Sequence, residues 1–351
     1  QARYRRDVSP LRATATAIRY VAQRLYFGTW YRPDGDFFEG TKDVLAANVS
    51  YDKGGVFGIA VGGNYEEEYT VQVTAFSGVF DAKITTKSAF AELALRPVHG
   101  LTITGAARID DNSRFGSFDT YRVTGAYVLE NLIGNGDVKL RASYGTGAKA
   151  PGLYQLFDPT YGYAGLKVET SEGGDVGVDF DFGSAFSAQV SYFFAKTRNE
   201  IAFDCTAPTP GCYVNFGRTR KSGVEVAFDL RPADWIAFRQ SLTYLNAEQR
   251  ANGVWSDLRR PEFSGSTSLT LTPVERFSVT ARLRHRDRNA SSSFSPATKG
   301  YEVVDLLASF GITDNVEVYG RVVNLFDRQY QMSYGKNALG RSAYGGIRLK
   351  F

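Results

Sequence analysis

Hydrophobic and polar residues alternate one for one along most of the chain. In "FSVTARLRHR", Phe277, Val279, Ala281 and Leu283 share one parity, and Ser278, Thr280, Arg282 and Arg284 share the other. In "VKLRASYG", Val138, Leu140, Ala142 and Tyr144 oppose Lys139, Arg141 and Ser143. "VEVAFDL" sets Val224, Val226, Phe228 and Leu230 against Glu225 and Asp229. The final "RSAYGGIRLKF" sets Ile347, Leu349 and Phe351 against Tyr344, Arg348 and Lys350. A period of two belongs to a strand with one oily and one wet face. No stretch carries a convincing 3.6-residue period, so the pattern predicts an all-β chain.

The wet parity carries Arg108, Lys139, Arg141, Arg282, Arg284, Arg321, Arg348 and Lys350. Charges of this density have no place in a dry core. The other parity is almost free of charge. No run approaches the ~18–20 apolar residues of a membrane-spanning helix. Alternation hides apolarity from such a search, and a transmembrane antiparallel β-barrel reconciles both faces: lipid outside, a hydrated lumen or polar plug inside. On this reading Arg108, Lys139, Arg141, Arg282, Arg284, Arg321 and Arg348 face the lumen, guiding an anionic ligand or pairing with carboxylates such as Glu225, Asp229, Asp305 and Glu317. A soluble propeller would also give many short strands, but no blade motif recurs. At ~9–11 residues per crossing, about 16–17 strands are visible, one of them an uncertain extra strand in residues 1–16. Short turns at "RPVHG", "DFGSAF", "RPADW", "TPVERF" and "ITDNVE" alternate with longer segments at 147–170, 201–216, 247–260, 287–300 and 327–341. That asymmetry places the short turns in the periplasm and the long loops outside.

Composition sharpens this picture in a few places. Aromatics make up 14% of the chain, with 21 Tyr and 25 Phe, as two interfacial girdles require. A net charge of +4 without a basic run leaves no nucleic-acid site. The two histidines, His99 and His285, have no clustered ligands for a metal and no paired nucleophile for a barrel lipase or protease. Cys205 and Cys212 bracket "DCTAPTPGC", which reads as a disulfide loop of an oxidising compartment. The alternative, half a metal site, has no histidine near it. Asp110, Asp111 and Asn112 gather oxygens that could hold Ca²⁺ in an extracellular loop; the plainer reading is an Asx turn. No other cofactor is indicated.

Three segments resemble one family. They are "NLFDRQYQ" at 324–331, "LRASYGTGAKAPGLYQLFDPTYGYAGLKVETSEGGDVGVDF" at 140–180, and "GRSAYGGIRLKF" at the end. Together they resemble the TonB-dependent outer-membrane transporters, and "YGTGAKAPGLYQLF" with the last 28 residues is most similar to the cobalamin-receptor branch. Where the family has a proline-rich "NPNLKPE" loop, this chain has Tyr163 to Glu169 without proline. The terminal Phe351 resembles the aromatic end of a last strand that the barrel-assembly machinery reads.

The resemblance implies a 22-stranded barrel around an N-terminal plug, and active import driven by TonB through that plug. The cargo it implies is scarce and bulky, a corrinoid or a ferric siderophore, in the bacterial outer membrane. A surface lipoprotein or another outer-membrane subunit is a further possible partner. No plug is legible here, and Gln1 starts no signal peptide. The sequence is therefore expected to be the C-terminal portion of a longer protein, residues 1–351 being barrel throughout. Expected ligand contacts are Tyr154, Phe157, Tyr161 and Tyr163 in one loop, and Tyr330, Tyr334 and Asn337 in the last; self-packing or a girdle is the competing role for these aromatics. A passive porin is the competing function, since 351 residues and this strand count suit one.

Overall fold

The computed structural model describes residues 2–8, 11–26, 36–52, 54–74, 78–207, 209–215, 217–251, 254–258, 260–291 and 296–350. Phe351, the proposed assembly signal, lies outside the described residues. The strands run in chain order. First come β1 (Ala2–Val8), β2 (Leu11–Tyr26), β3 (Asp36–Asp52), β4 (Phe57–Thr74), β5 (Gly78–Leu95), β6 (Leu101–Asn112), β7 (Gly116–Ile133) and β8 (Gly136–Lys149). A single helical turn, α1 (Leu153–Phe157), precedes β9 (Glu169–Asp181) and β10 (Phe186–Arg198). Then come β11 (Ile201–Phe203), β12 (Tyr213–Asn215), β13 (Arg218–Ala233), β14 (Ile236–Ala251), β15 (Val254–Asp257), β16 (Phe263–Val274) and β17 (Phe277–Arg286). The chain closes with β18 (Tyr301–Gly311), β19 (Val316–Val323), β20 (Gln331–Ser333), β21 (Lys336–Asn337) and β22 (Ser342–Leu349).

Eighteen of these strands form one antiparallel sheet; β11 with β12, and β20 with β21, make two small hairpins in loops. β15 and β16 pair in succession with one edge of β14, so the sheet has seventeen passes. Each pass pairs with its neighbours in sequence, a meander from β1 to β22. The five short turns named above all fall at one end of it, between β5 and β6, β9 and β10, β13 and β14, β16 and β17, and β18 and β19.

Register carries the alternation across the sheet. Leu140, Val178, Val190, Val226 and Leu242 lie opposite one another on five adjacent strands. A water-soluble sheet would cover such a row, yet Leu140 is 44% exposed and Val190 41%. Exposed apolar surface on this scale needs a nonaqueous neighbour. Two aromatic tiers bound it. Tyr51–Phe57, Phe182–Phe186 and Phe228–Phe238 lie at the short-turn end, and Tyr121–Tyr144–Phe194 towards the long-loop end. Along β4 the tiers fall at Phe57 and Tyr65, a separation that matches the ~9–11 residues of a tilted crossing. Past the upper tier this same face turns charged, with Arg19–Asp43 at 2.6 Å and Lys83–Glu67 at 2.8 Å.

The strands therefore outrun the bilayer. β4 and β5 have 18 residues each, and their upper parts stand in water. Part of what the sequence presents as loop is continued strand. Asp110–Asn112, expected at a loop tip, closes β6 instead. The opposite face is the inner one. The segment after β8 carries α1 back over β7 and β6 to pack on β5 and β4, which requires the sheet to curve towards that face. α1 itself is too short to leave a helical period in the sequence.

Candidate ligand vestibule in the long loops

The loop between β8 and β9 folds into a small core of its own. Leu153, Leu156 and Leu166 are buried against Ile84 of β5, with Phe157, Tyr163 and Tyr213 packed around them. Asp158 is 2% exposed and organises the turn: its Oδ1 accepts the backbone N–H of Thr160 (3.0 Å) and Tyr161 (2.7 Å), and its Oδ2 accepts Gln72 Nε2 of β4 (3.3 Å). An aromatic chain then links wall and loops. Phe80 meets Tyr154, Tyr154 meets Tyr213 edge-on at 6.0 Å, Tyr213 meets Phe203 at 5.2 Å, and Phe203 meets Tyr161 at 5.7 Å. Burial, helped by the Asp158 carboxylate, pushes the Tyr154 phenol up to about 12, and burial also raises Tyr213.

The disulfide Cys205–Cys212 closes the next loop, and the backbone N–H groups of Cys212 and Tyr213 both donate to the Tyr161 carbonyl. A Cβ on Gly211 would run into the Gly162 carbonyl oxygen, so glycine there is a condition of the two loops touching. Thr206 hydrogen bonds hold the Asp204 carboxyl below its usual range. Of the expected contact residues in this region, Tyr154, Tyr161 and Tyr163 pack within the cluster, and Phe157 lies under the Arg114 guanidinium at 4.9 Å.

The last loop hangs on Asn324, which is 1% exposed. Its N–H donates to Asp305 Oδ1 of β18 (2.9 Å), its Nδ2 donates to the carbonyls of Arg328 (2.9 Å) and Leu339 (3.3 Å), and its Oδ1 accepts the Arg328 N–H (2.8 Å). Asn324 and Asp327 both have positive φ, 56° and 55°, which Asn and Asp tolerate better than most residues. Asp327 Oδ1 in turn accepts the Arg341 N–H at 2.7 Å, closing the loop on itself. "NLFD" is thus a loop clasp. Tyr330 stacks on Tyr301 at 4.3 Å, and Asn337 Oδ1 accepts Gln331 Nε2 at 2.7 Å. Tyr334 stands 55% exposed.

Tyr334 lines a cavity of about 800 Å³ among three long loops, together with Met332, Lys336, Arg260, Arg286 and Gln249. Arg286 Nε is buried with no partner among the described residues. Sequence reasoning identified Tyr334 here but missed Arg260, which follows β15, Arg286, which ends β17, and Met332 and Lys336, which flank Tyr334 in the last loop.

Below the loops the inner face is a wall of paired charges. Arg108 donates to Asp110 (2.7 Å) and Ser88 (2.6 Å). Arg141 bridges Asp175 (3.1 Å) and Asp179 (3.0 Å), Lys139 reaches Asp179 at 3.8 Å, and Arg284 reaches Asp305 at 3.1 Å. Arg348 pairs with Glu317, while Asp229 takes Arg239 from the neighbouring strand. Arg321 lies over the Tyr344 ring at 4.5 Å and shares a cavity of about 630 Å³ with Arg282 and Arg348. Of the two readings of Asp110–Asn112, the Asx turn is the one observed, Asn112 Oδ1 accepting the Arg114 N–H at 3.0 Å. Asp110 and Asp111 are strand neighbours that point to opposite faces, and Arg108 already occupies Asp110. Asn112 is spent on the Arg114 and Phe115 N–H groups. Among the described residues no group of three acidic, His or Cys side chains is placed to hold a metal.

An antiparallel meander with a lipid-facing apolar band, aromatic tiers and long loops at one end defines a bacterial outer-membrane β-barrel protein. The family model "TonB dependent receptor-like, beta-barrel" matches residues 1–325, and the chain belongs to that family. It is 26% identical over 301 residues to the vitamin B12 transporter BtuB of Vibrio cholerae serotype O1, covering 84% of this chain and 47% of the relative. The chain thus spans about half the length of the curated relatives it matches. In fold it is similar to a mutant of the ferric enterobactin receptor of Pseudomonas aeruginosa, with a TM-score of 0.76 at 16% identity, over 99% of this chain and 60% of the other. It is also similar to the siderophore receptor PirA of Pseudomonas aeruginosa, with a TM-score of 0.67 at 18% identity, over 97% and 63%. These relatives are transporters and receptors.

Proposed function

We propose that the chain forms the barrel of an active importer for a scarce, bulky ligand, a corrinoid first and a ferric siderophore second. The observation that carries this is the cavity of about 800 Å³ at the long-loop end, walled by three loops, one of them held by the Asn324 clasp. Membership of the TonB-dependent family and the likeness to a vitamin B12 transporter support it. Cargo lies on the exposed face of Tyr334, with Arg260, Arg286 and Lys336 receiving its acidic or amide groups. Tyr154, Tyr161, Tyr163 and Phe157 keep the neighbouring loop in shape. Arg282 and Arg321 belong to a lumenal surface that meets a plug, and TonB acts through that plug, which this sequence does not include. The reading assigns no catalytic activity.

The test is equilibrium binding of cobalamin and of a ferric siderophore to the detergent-purified protein, wild type and Tyr334→Ala/Arg286→Gln. Saturable binding of one cargo, weakened at least tenfold in the variant, is expected. Failure to bind either, or binding indifferent to the substitutions, overturns the assignment.

A further inference from the structure

One of the two histidines joins the two ends of a vestibule loop. His285 stands one residue before the end of β17, on the membrane-facing parity above Leu283. Its Nδ1 lies 3.0 Å from Glu302 Oε1, directly across the register on β18, and its Nε2 lies 3.2 Å from Asp287 Oδ1. Asp287 is where the chain leaves β17, and Glu302 is the second residue of β18. A single imidazole therefore spans the loop 287–300 at its base.

The base is tied on a third side. Asp287 Oδ2 accepts the Phe263 N–H of β16 at 3.1 Å, the Asp287 N–H donates to the Phe263 carbonyl at 2.9 Å, and the Phe263 ring lies 5.3 Å from the imidazole. Opposite His285 on β16 is Gly265, which sets no side chain against the ring. Arg284, Arg286 and Tyr301 alternate onto the inner face. Glu262, Arg288 and Lys299, the other charged residues at the loop base, make no ion pair among the described residues. The ring thus meets two carboxylates. Above the two feet, Asn289 and Thr298 exchange both backbone hydrogen bonds at 3.2 Å, and Asn289, Ser291, Pro296 and Thr298 wall the cavity that Tyr334 lines.

An imidazolium donates from both nitrogens, a neutral imidazole from only one. Loss of the proton turns a ring lone pair towards a carboxylate and frees one foot of the loop. The Glu302 side chain is 68% exposed, so the solvent reaches this pair. We propose that His285 is a pH-sensitive clamp: charged, it holds both feet of the loop and stiffens that wall of the vestibule; neutral, it lets the wall loosen. Histidine is the side chain that changes charge between about pH 5 and 8. The other histidine, His99, is in the short turn between β5 and β6 at the far end of the sheet, with its side chain 84% exposed, and does not touch this loop.

Hydrogen-exchange mass spectrometry of the detergent-purified protein tests the clamp without cargo, so its outcome is independent of the cargo assignment. Protection factors, which remove the intrinsic pH dependence of exchange, are compared at pH 5.5 and pH 8.5 for peptides covering residues 284–302, with β13 and β14 as internal controls. Wild type is expected to lose protection there about fivefold at the higher pH, the worth of one hydrogen bond given up. His285→Gln, which has no titrating ring, is expected to show the same protection at both pH values, with heat-modifiable gel mobility showing that it is folded. Glu302→Gln serves if that variant does not fold, with the pH-dependent loss cut by at least half. Wild-type protection that does not change with pH, or an equal fall in the folded variant, overturns the proposal.

Discussion

Replacing Asn324 by alanine should loosen the last loop without disturbing the barrel. Three side-chain hydrogen bonds disappear, two donated to the Arg328 and Leu339 carbonyls and one accepted from the Arg328 N–H. Each is worth about 0.5–1.5 kcal/mol net, and more where the abandoned partner stays buried. Alanine must also hold the positive φ of 56°, at a cost of about 1 kcal/mol. The backbone bond to Asp305 survives. A loss of about 3–4 kcal/mol confined to residues 324–341 follows, which corresponds to at least a hundredfold faster amide exchange there at roughly tenfold per 1.4 kcal/mol. Hydrogen-exchange mass spectrometry of the detergent-purified protein reads it directly, with β18 and β19 as internal controls. Asn324→Asp keeps tolerance of the backbone angle and the acceptor but loses both donors, and should fall between. If Asn324→Ala leaves the loop as protected as wild type, the clasp does not hold the loop and the reasoning fails.

Further outcomes follow from the same geometry. Cys205→Ser/Cys212→Ser removes a loop closure worth about 2.5 kcal/mol; protease should then nick residues 201–215 first, and an uncut loop would contradict the bracing role. Tyr154, its phenol raised to about 12, binds a proton more tightly folded than unfolded. Its contribution is therefore complete below pH ~10 and is lost as pH rises towards 12. Tyrosinate absorbance should show a late phase, shared with Tyr213, that Tyr154→Phe reduces by one tyrosine, and a late phase unchanged by that substitution counts against the burial. Val190→Arg in the lipid-facing row midway between the tiers should cost about 2–4 kcal/mol of barrel stability in lipid, whereas Thr243→Arg on the inner face should cost little. Equal losses at the two sites would mean the faces are misassigned.

The strand pattern was legible because it rests on period and sign of charge, which neighbouring residues state outright. Val138, Leu140, Ala142 and Tyr144 needed no partner to be read, and the register then carried their row across the sheet. The Cys205–Cys212 pairing was legible for a similar reason, both ends lying in one short loop. The candidate site was less so. Tyr154 and Tyr161 looked like ligand platforms, since a sequence shows an aromatic in a loop but not that Tyr213 and Phe203, some forty to sixty residues away, lie against it. Asp110 and Asp111 read as one cluster, yet the pleat separates them. Asn324 stood in the family-like "NLFD" with no hint of its role, because its partners Arg328 and Leu339 are backbone groups.

The central claim is that this barrel serves TonB-driven import, and accumulation of radiolabelled cobalamin tests it most directly. The full-length protein, its plug included, would be expressed in a host lacking its own cobalamin and siderophore receptors, with and without TonB, and a labelled ferric siderophore run in parallel. The account predicts saturable uptake of one of the two cargos that disappears without TonB. Non-saturable uptake that persists without TonB and extends to small unrelated solutes would contradict it, and would make the chain the wall of a passive channel.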